Sequence, residues 1–208
     1  MMKRAFLTAA LLLAGFCVVF AQTDGNNGLS IDQQKNARKW SVGFDMNYGE
    51  MKTRPSVNVN IAGRMAITQS VYIGLRGTGV WYDHRLNKLD ATRTYHVESA
   101  YGGATIQKNW ELFKGFKLGI MAYAGTGFIQ YKYDGKYRDE LTWDEEIIDL
   151  ESFSFFEPGI VFEYEVGNNV GITAQLNYRM TSDIKLIETD NDMMNQANFG
   201  FGFNYYFD

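Results

Sequence analysis

Residues 197–208 read "ANFGFGFNYYFD". Phe199, Phe201, Phe203, Tyr205 and Phe207 occupy every second position, and Asn198, Gly200, Gly202, Asn204 and Tyr206 alternate with them. Period two is the period of a β-strand, so this strand carries a wall of rings on one face and small or polar groups on the other. The fold turns on which solvent that aromatic face meets.

The opposite end of the chain narrows the answer. "MMKRAFLTAALLLAGFCVVFAQ" places Lys3 and Arg4 before an uncharged apolar run from Ala5 to Phe20, followed by Ala21 and Gln22. This is the order of a signal peptide: a basic start, an apolar stretch and a small residue at the cleavage point. The run is short for a membrane-spanning helix, which needs about 20 apolar residues. Residues 1–21 are therefore expected to be a signal peptide. Cys17 invites a lipid-attachment reading, but Phe16 stands where that motif takes Gly or Ala.

Removal after Ala21 leaves about 187 residues without a cysteine, so sulfur redox chemistry is not expected. It also removes Lys3 and Arg4, which moves the formal charge from −4 to −6. That acidity argues against nucleic acid as a partner. Gly is abundant (21) and Pro scarce (2), a composition suited to long unbroken strands. Residues 22–38 form a polar lead-in, expected to be periplasmic, and 39–208 the barrel domain.

The alternation recurs along the chain. Trp40, Val42, Phe44, Met46 and Tyr48 oppose Ser41, Gly43, Asp45 and Asn47. Val57, Val59, Ile61 and Met65 oppose Asn58, Asn60 and Arg64, and Val71, Ile73, Leu75 and Trp81 oppose Tyr72, Arg76 and Thr78. Further strands follow around Phe116–Phe128, Ile160–Val166 and Val170–Met180. In "YHVESAYGGATIQKNW" the apolar parity changes between Tyr101 and Ala104, which predicts a β-bulge at Gly102-Gly103. A similar slip is expected near Pro158. The total is eight strands.

Thr68–Ser70, Gly167–Asn169 and "NWELFKG" read as short links, whereas 49–55, 83–94, 134–150 and 181–194 read as longer polar ones. Short and long links in alternation are the pattern of a membrane β-barrel, and each strand reaches the roughly 9–11 residues that a tilted crossing needs. A soluble barrel would put the apolar face inside. Here Trp40, Tyr48, Trp81, Trp110, Phe116, Tyr178 and Phe207 fall at strand ends, with smaller aliphatic residues between. Rings at both rims form the girdles of a lipid-facing band. The expected fold is therefore all-β: a transmembrane, antiparallel, up-and-down barrel whose last strand pairs with its first.

The chain resembles the small eight-stranded outer-membrane barrels, the group that includes OmpX and the OmpA membrane domain, from about Lys39 to Phe207. The closing strand resembles the signal read by the barrel-assembly machinery, carried here by Gly202, Tyr205 and Phe207, although Asp208 follows the terminal ring. The resemblance implies a bacterial outer-membrane location, with lipid and lipopolysaccharide as surroundings and a monomeric state. It leaves function open, because the fold hosts many roles.

Three groups of residues are candidates for function. Asp45, Glu98, Glu157 and Glu163, with Arg64, Arg76, Lys117 and Arg179, are assigned inward by parity and form a lumen charge network. Eight strands enclose little more than their own side chains, so the lumen is expected to be filled rather than porous. "HVES" puts His96 and Glu98 on one face and Ser99 on the other. The resembling lipid A deacylases carry a His-x-Ser pair, and Glu98 stands where the Ser would be. His84 has no Ser nearby in sequence. No catalytic residue, metal site or cofactor is assigned. The third long link carries eight acids from Asp134 to Glu151. No twelve-residue calcium loop is present. Trp143, Ile147, Ile148 and Leu150 in this link are candidate contacts, either as a patch or as strands continued above the membrane. The strand pattern runs to the penultimate residue, so a cell-wall tether is not expected. A non-enzymatic surface or structural role is favoured over a lipid-modifying enzyme or a narrow channel.

Overall fold

The computed structural model describes residues 40–51, 54–82, 95–133, 147–167, 169–186 and 190–207. Eight strands follow in order: β1 Trp40–Met51, β2 Arg54–Ala66, β3 Val71–Tyr82, β4 Tyr95–Phe113, β5 Phe116–Tyr133, β6 Ile147–Val166, β7 Val170–Thr181 and β8 Gln196–Phe207. Each is antiparallel to the next, and β8 pairs with β1 to close the barrel. Closure satisfies backbone groups that a lipid-facing edge would leave unpaired.

The aromatic strand lies at this seam. Phe44 is opposite Phe203, with ring centroids 5.9 Å apart, and Asp45 is opposite Gly202. A Cβ on Gly202 would strike the backbone of Phe44 and the side chain of Asp45, so the seam closes there only on glycine. Phe199, Phe201, Phe203, Tyr205 and Phe207 all point outward and are exposed. Toward the turn end the outer face also carries Trp40, Trp110 and the stacked pair Phe113–Phe116. Toward the loop end it carries Tyr48, Trp81 and Tyr178. The expected aliphatic band between the rims holds for Ile61, Leu75, Ile160 and Leu176, but at the seam the rings continue through mid-height.

The links differ from expectation at two places. β1 and β2 run through the stretch read as a long polar link, with Glu50 opposite Pro55 and Met51 opposite Arg54. Pro55 is tolerated because the β2–β3 ladder begins only at Ser56. β4 continues through "NWELF" to a turn at Lys114–Gly115, where Gly115 takes φ 80°. The Val166–Val170 turn uses Gly167 at φ 77°, and Thr68 Oγ1 accepts from the Val71 amide at 3.1 Å in the β2–β3 turn.

No bulge occurs at Gly102-Gly103. Register runs unbroken from Val97 to Lys108 against β3, and to Glu111 against β5. The glycines instead serve close approach: a Cβ on Gly103 would strike the carbonyl of Ala124 on β5. Nor is there a slip at Pro158, since Phe156 opposite Met180 and Gly159 opposite Asn177 share one register. The irregularities fall at strand ends, between Glu111 and Phe113 and between Tyr131 and Lys132.

β4, β5 and β6 hold 19, 18 and 20 residues, against 12 or 13 for the other five. The β6–β7 ladder starts at Phe155–Thr181, while β5–β6 pairing continues to Lys132–Ile147. At about 3.3 Å per residue, residues 147–154 carry β6 roughly 25 Å along its own direction past the end of β7. Three strands thus form a raised wall at the loop end.

Candidate functional site: a divided lumen and a raised wall

Inward positions alternate regularly, as in β1, where every second residue from Ser41 to Met51 is buried. In the turn-end half these positions are mostly polar, with Ala62, Met121 and Val161 among them. Asp45 accepts hydrogen bonds from Arg76 Nη2 at 2.9 Å, Asn60 Nδ2 at 2.6 Å and Gln175 Nε2. Thr78 donates to Asn60 at 2.6 Å and Gln175 donates to Asn47 at 2.6 Å, extending this centre over four strands. A second centre is Glu163, which accepts from Tyr206 OH at 2.6 Å and Asn204 Nδ2 at 2.7 Å. Asn204 in turn accepts from Arg64, which also donates to Gln107. At the mouth, Lys117 pairs with Glu165 at 2.7 Å.

Glu157 marks the third centre, higher on β6. It accepts from Asn177 and, at 3.1 Å, from Tyr101 OH. Tyr101 OH accepts from Arg179 Nη1 at 2.8 Å, so a tyrosine hydroxyl links the buried acid to the buried base. Arg179 is 0% exposed, and its guanidinium stands 5.1 Å from the Tyr101 ring centre. Its Nε donates to the Met194 carbonyl at 2.9 Å, which ties the β7–β8 link to the barrel wall.

Above this level the lumen becomes apolar. Phe155 meets Tyr101 and Tyr123 edge to face, 4.6 Å from both tyrosine centroids. Val80, Val97, Ile129, Tyr131, Phe153 and Met51 join the same buried cluster. Ile184, Leu186, Met193 and Met194 close it from the β7–β8 link. That link is held in shape by Ile184 N to Asn191 O at 3.0 Å, by Thr181 N to Asn195 Oδ1 at 2.7 Å, and by Ser182 N to Ser154 O at 2.8 Å.

Seven of the eight charges assigned inward stand on inward positions: Asp45, Arg64, Arg76, Lys117, Glu157, Glu163 and Arg179. Glu98 does not. Val97, Ser99 and Tyr101 face the lumen, while Glu98 lies opposite Trp81 and Gln130 on the outer face. It accepts from Gln130 at 3.3 Å and pairs with Lys132 at 3.6 Å. The apolar character of Val97 and Tyr101 assigns them to lipid in the sequence and so places Glu98 inward by parity, but the lumen at this height is itself apolar. The acid that belongs in the network instead is Glu165, which shares strand parity with Glu163 and so was legible. The amides Asn60, Gln107, Gln175 and Asn204 also follow inward parity, but their connections cross strands far apart in sequence.

Ser99 turns inward and donates to the Phe128 carbonyl at 2.8 Å, away from Glu98. His96 pairs with Lys132 in the ladder, and its side chain lies outside the described residues, as does all of His84. Among the candidate contacts, Ile147, Ile148 and Leu150 belong to β6. Ile148 packs against the apolar cluster, and Leu150 is 54% exposed. Trp143 and most of the acidic link lie outside the described residues.

This geometry can be set beside known proteins. Neisserial surface protein A superposes with a TM-score of 0.50 at 12% identity, over 81% of this chain and 95% of that one. Ail of Yersinia pestis matches at 0.46, 15% identity, 81% and 97% coverage. The outer membrane enzyme PagL matches at 0.42, 9% identity, 78% and 98% coverage. No protein-family model matches the chain, and no curated protein matches it in sequence. The chain has the fold of the small eight-stranded outer-membrane barrels.

Proposed function

We propose that this is a monomeric bacterial outer-membrane protein with a non-enzymatic role, which contacts external partners through the raised wall of β4, β5 and β6. Residues 1–21 direct export and are cleaved after Ala21, and 22–38 form a periplasmic lead-in. The barrel-assembly machinery reads Gly202, Tyr205 and Phe207. Lipid and lipopolysaccharide surround the outer face. The network and the apolar cap fill the lumen, which supports a barrel closed to solutes.

The observation that carries the proposal is the β6 edge. Among the described residues, no strand pairs with β6 above Phe155 on its β7 side. Ser154 turns its amide and carbonyl to Ser182 on that side. By the two-residue period, Leu150 and Ser152 turn theirs the same way, with no strand beside them among the described residues. An open edge on a rigid wall presents backbone donors and acceptors to an extended segment of a partner. Binding commonly resides where a rigid barrel rises into solvent.

The test combines Ser152→Pro, deletion of residues 140–146 and His96→Ala, each in cells and as refolded protein in lipid nanodiscs. Ser152→Pro removes one edge donor while leaving the β5 ladder intact. Loss of binding to envelope or host ligands in the first two variants, with lipid A composition unchanged in all three, is the expected result. Altered lipid A in the His96→Ala strain alone reverses the assignment in favour of a lipid-modifying enzyme. Porin-sized conductance of the wild type in planar bilayers overturns the closed lumen.

A further inference from the structure

The polar half of the lumen holds a small cavity of about 20 Å³. A single water-sized sphere takes about 10–15 Å³ of such space, so the cavity holds one small occupant. Its walls include Asp45, Arg64 and Arg76, with Thr105 and Thr173 adding hydroxyl groups. Arg64 is 9% and Arg76 5% exposed, and each has an Nε–H with no acceptor among the described residues.

The charges on the residues lining this space do not cancel; Glu157, outside the lining, is engaged by Asn177 and Tyr101. Two guanidinium groups meet one carboxylate, and Asp45 is already bonded to Arg76, Asn60 and Gln175. Among the described residues, Arg64 bonds only to the amide oxygens of Gln107 and Asn204. Glu163 lies outside the wall and is engaged by Tyr206 and Asn204. The lining therefore carries one net positive charge. A buried cation held only by neutral partners is costly, and a water molecule satisfies an N–H without removing that charge.

We propose that the cavity is a binding site for one small monovalent anion of chloride size, held between Arg64 and Arg76. Its size excludes sulfate and phosphate, and its charge excludes cations. The ion enters as the barrel closes and becomes part of the folded structure.

The test is made on the full barrel refolded in sodium bromide and crystallised. Anomalous diffraction at the bromine edge should give one peak between the two arginines. In parallel, urea unfolding in lipid vesicles is followed at constant ionic strength while chloride replaces isethionate, an anion too large for the cavity. The unfolding constant should fall about 100-fold at a chloride concentration 100 times the dissociation constant. In Arg64→Gln, whose lining is neutral, both the peak and the chloride dependence should vanish. Should Arg64→Gln not refold, the two wild-type measurements stand by themselves. An ordered water with no anomalous signal, or equal wild-type stability in chloride and isethionate, overturns the proposal.

Discussion

The lower and upper parts of β4, β5 and β6 reverse their sidedness along single continuous strands. Below, Ile106, Leu118, Ile120 and Ile160 face out while Thr105, Gln107 and Glu163 face in. Above, Glu98, Gln130, Lys132, Ser152 and Ser154 face out while Val97, Ile129, Tyr131 and Phe153 face in. The backbone register does not change between them. The environment outside the barrel does. A wall in lipid has no hydrophobic gain from turning apolar groups inward, so polar residues collect in the lumen. A wall in water must build an ordinary core on its inner face to stand at all. The β7–β8 link supplies the other side of that core, because β7 and β8 end too low to do so as strands.

The comparison is open to direct attack by equilibrium unfolding of the refolded protein in vesicles. The largest effect is expected in the upper core, where Phe155→Ala empties the space between Tyr101 and Tyr123 and should cost about 3–5 kcal/mol. Arg179→Met comes next, at about 3–4 kcal/mol, since it strands Glu157 and releases the Met194 carbonyl. Proteolysis should then appear within 182–195. The double change Arg179→Met/Glu157→Met should recover most of the loss, because apolar residues of similar volume replace a buried pair well. Full loss in the double variant breaks the view that charge, rather than shape, is what the single change disturbs.

The middle of the range sharpens the boundary between the two regions. Ile160→Lys places a charge on the outer face of the lower part and should cost about 2–4 kcal/mol. Glu98→Leu, on the outer face of the upper part, should cost under about 1 kcal/mol, because it removes a partly exposed pair with Lys132 and one long hydrogen bond from Gln130. Equal penalties at the two sites would mean that both face the same solvent. The smallest change belongs to Lys117→Met at the turn-end mouth, whose pair with Glu165 is partly exposed; about 0–1 kcal/mol is expected.

Much of this was legible in the sequence. Eight runs of period two follow from alternation, and once the rings at both rims assign the apolar face to lipid, so do the closing of "ANFGFGFNYYFD" onto "KWSVGFDMNYG" and the inward placement of Asp45, Arg64, Arg76, Glu157, Glu163, Lys117 and Arg179. Strand parity groups residues by face, and a closed barrel has only two faces. It does not say which solvent a face meets at each height. That depends on how far a strand rises past its neighbours, a property of the register between strands distant in the chain. Tertiary structure therefore decided that Glu98 faces out, that Val97 and Tyr101 face in without a bulge, and that Ile184, Leu186, Met193 and Met194 leave a polar link to cap the lumen. The cavity between Arg64 and Arg76 belongs to the same class. Its walls come from all eight strands, and only barrel closure brings one carboxylate and two guanidinium groups around one small space.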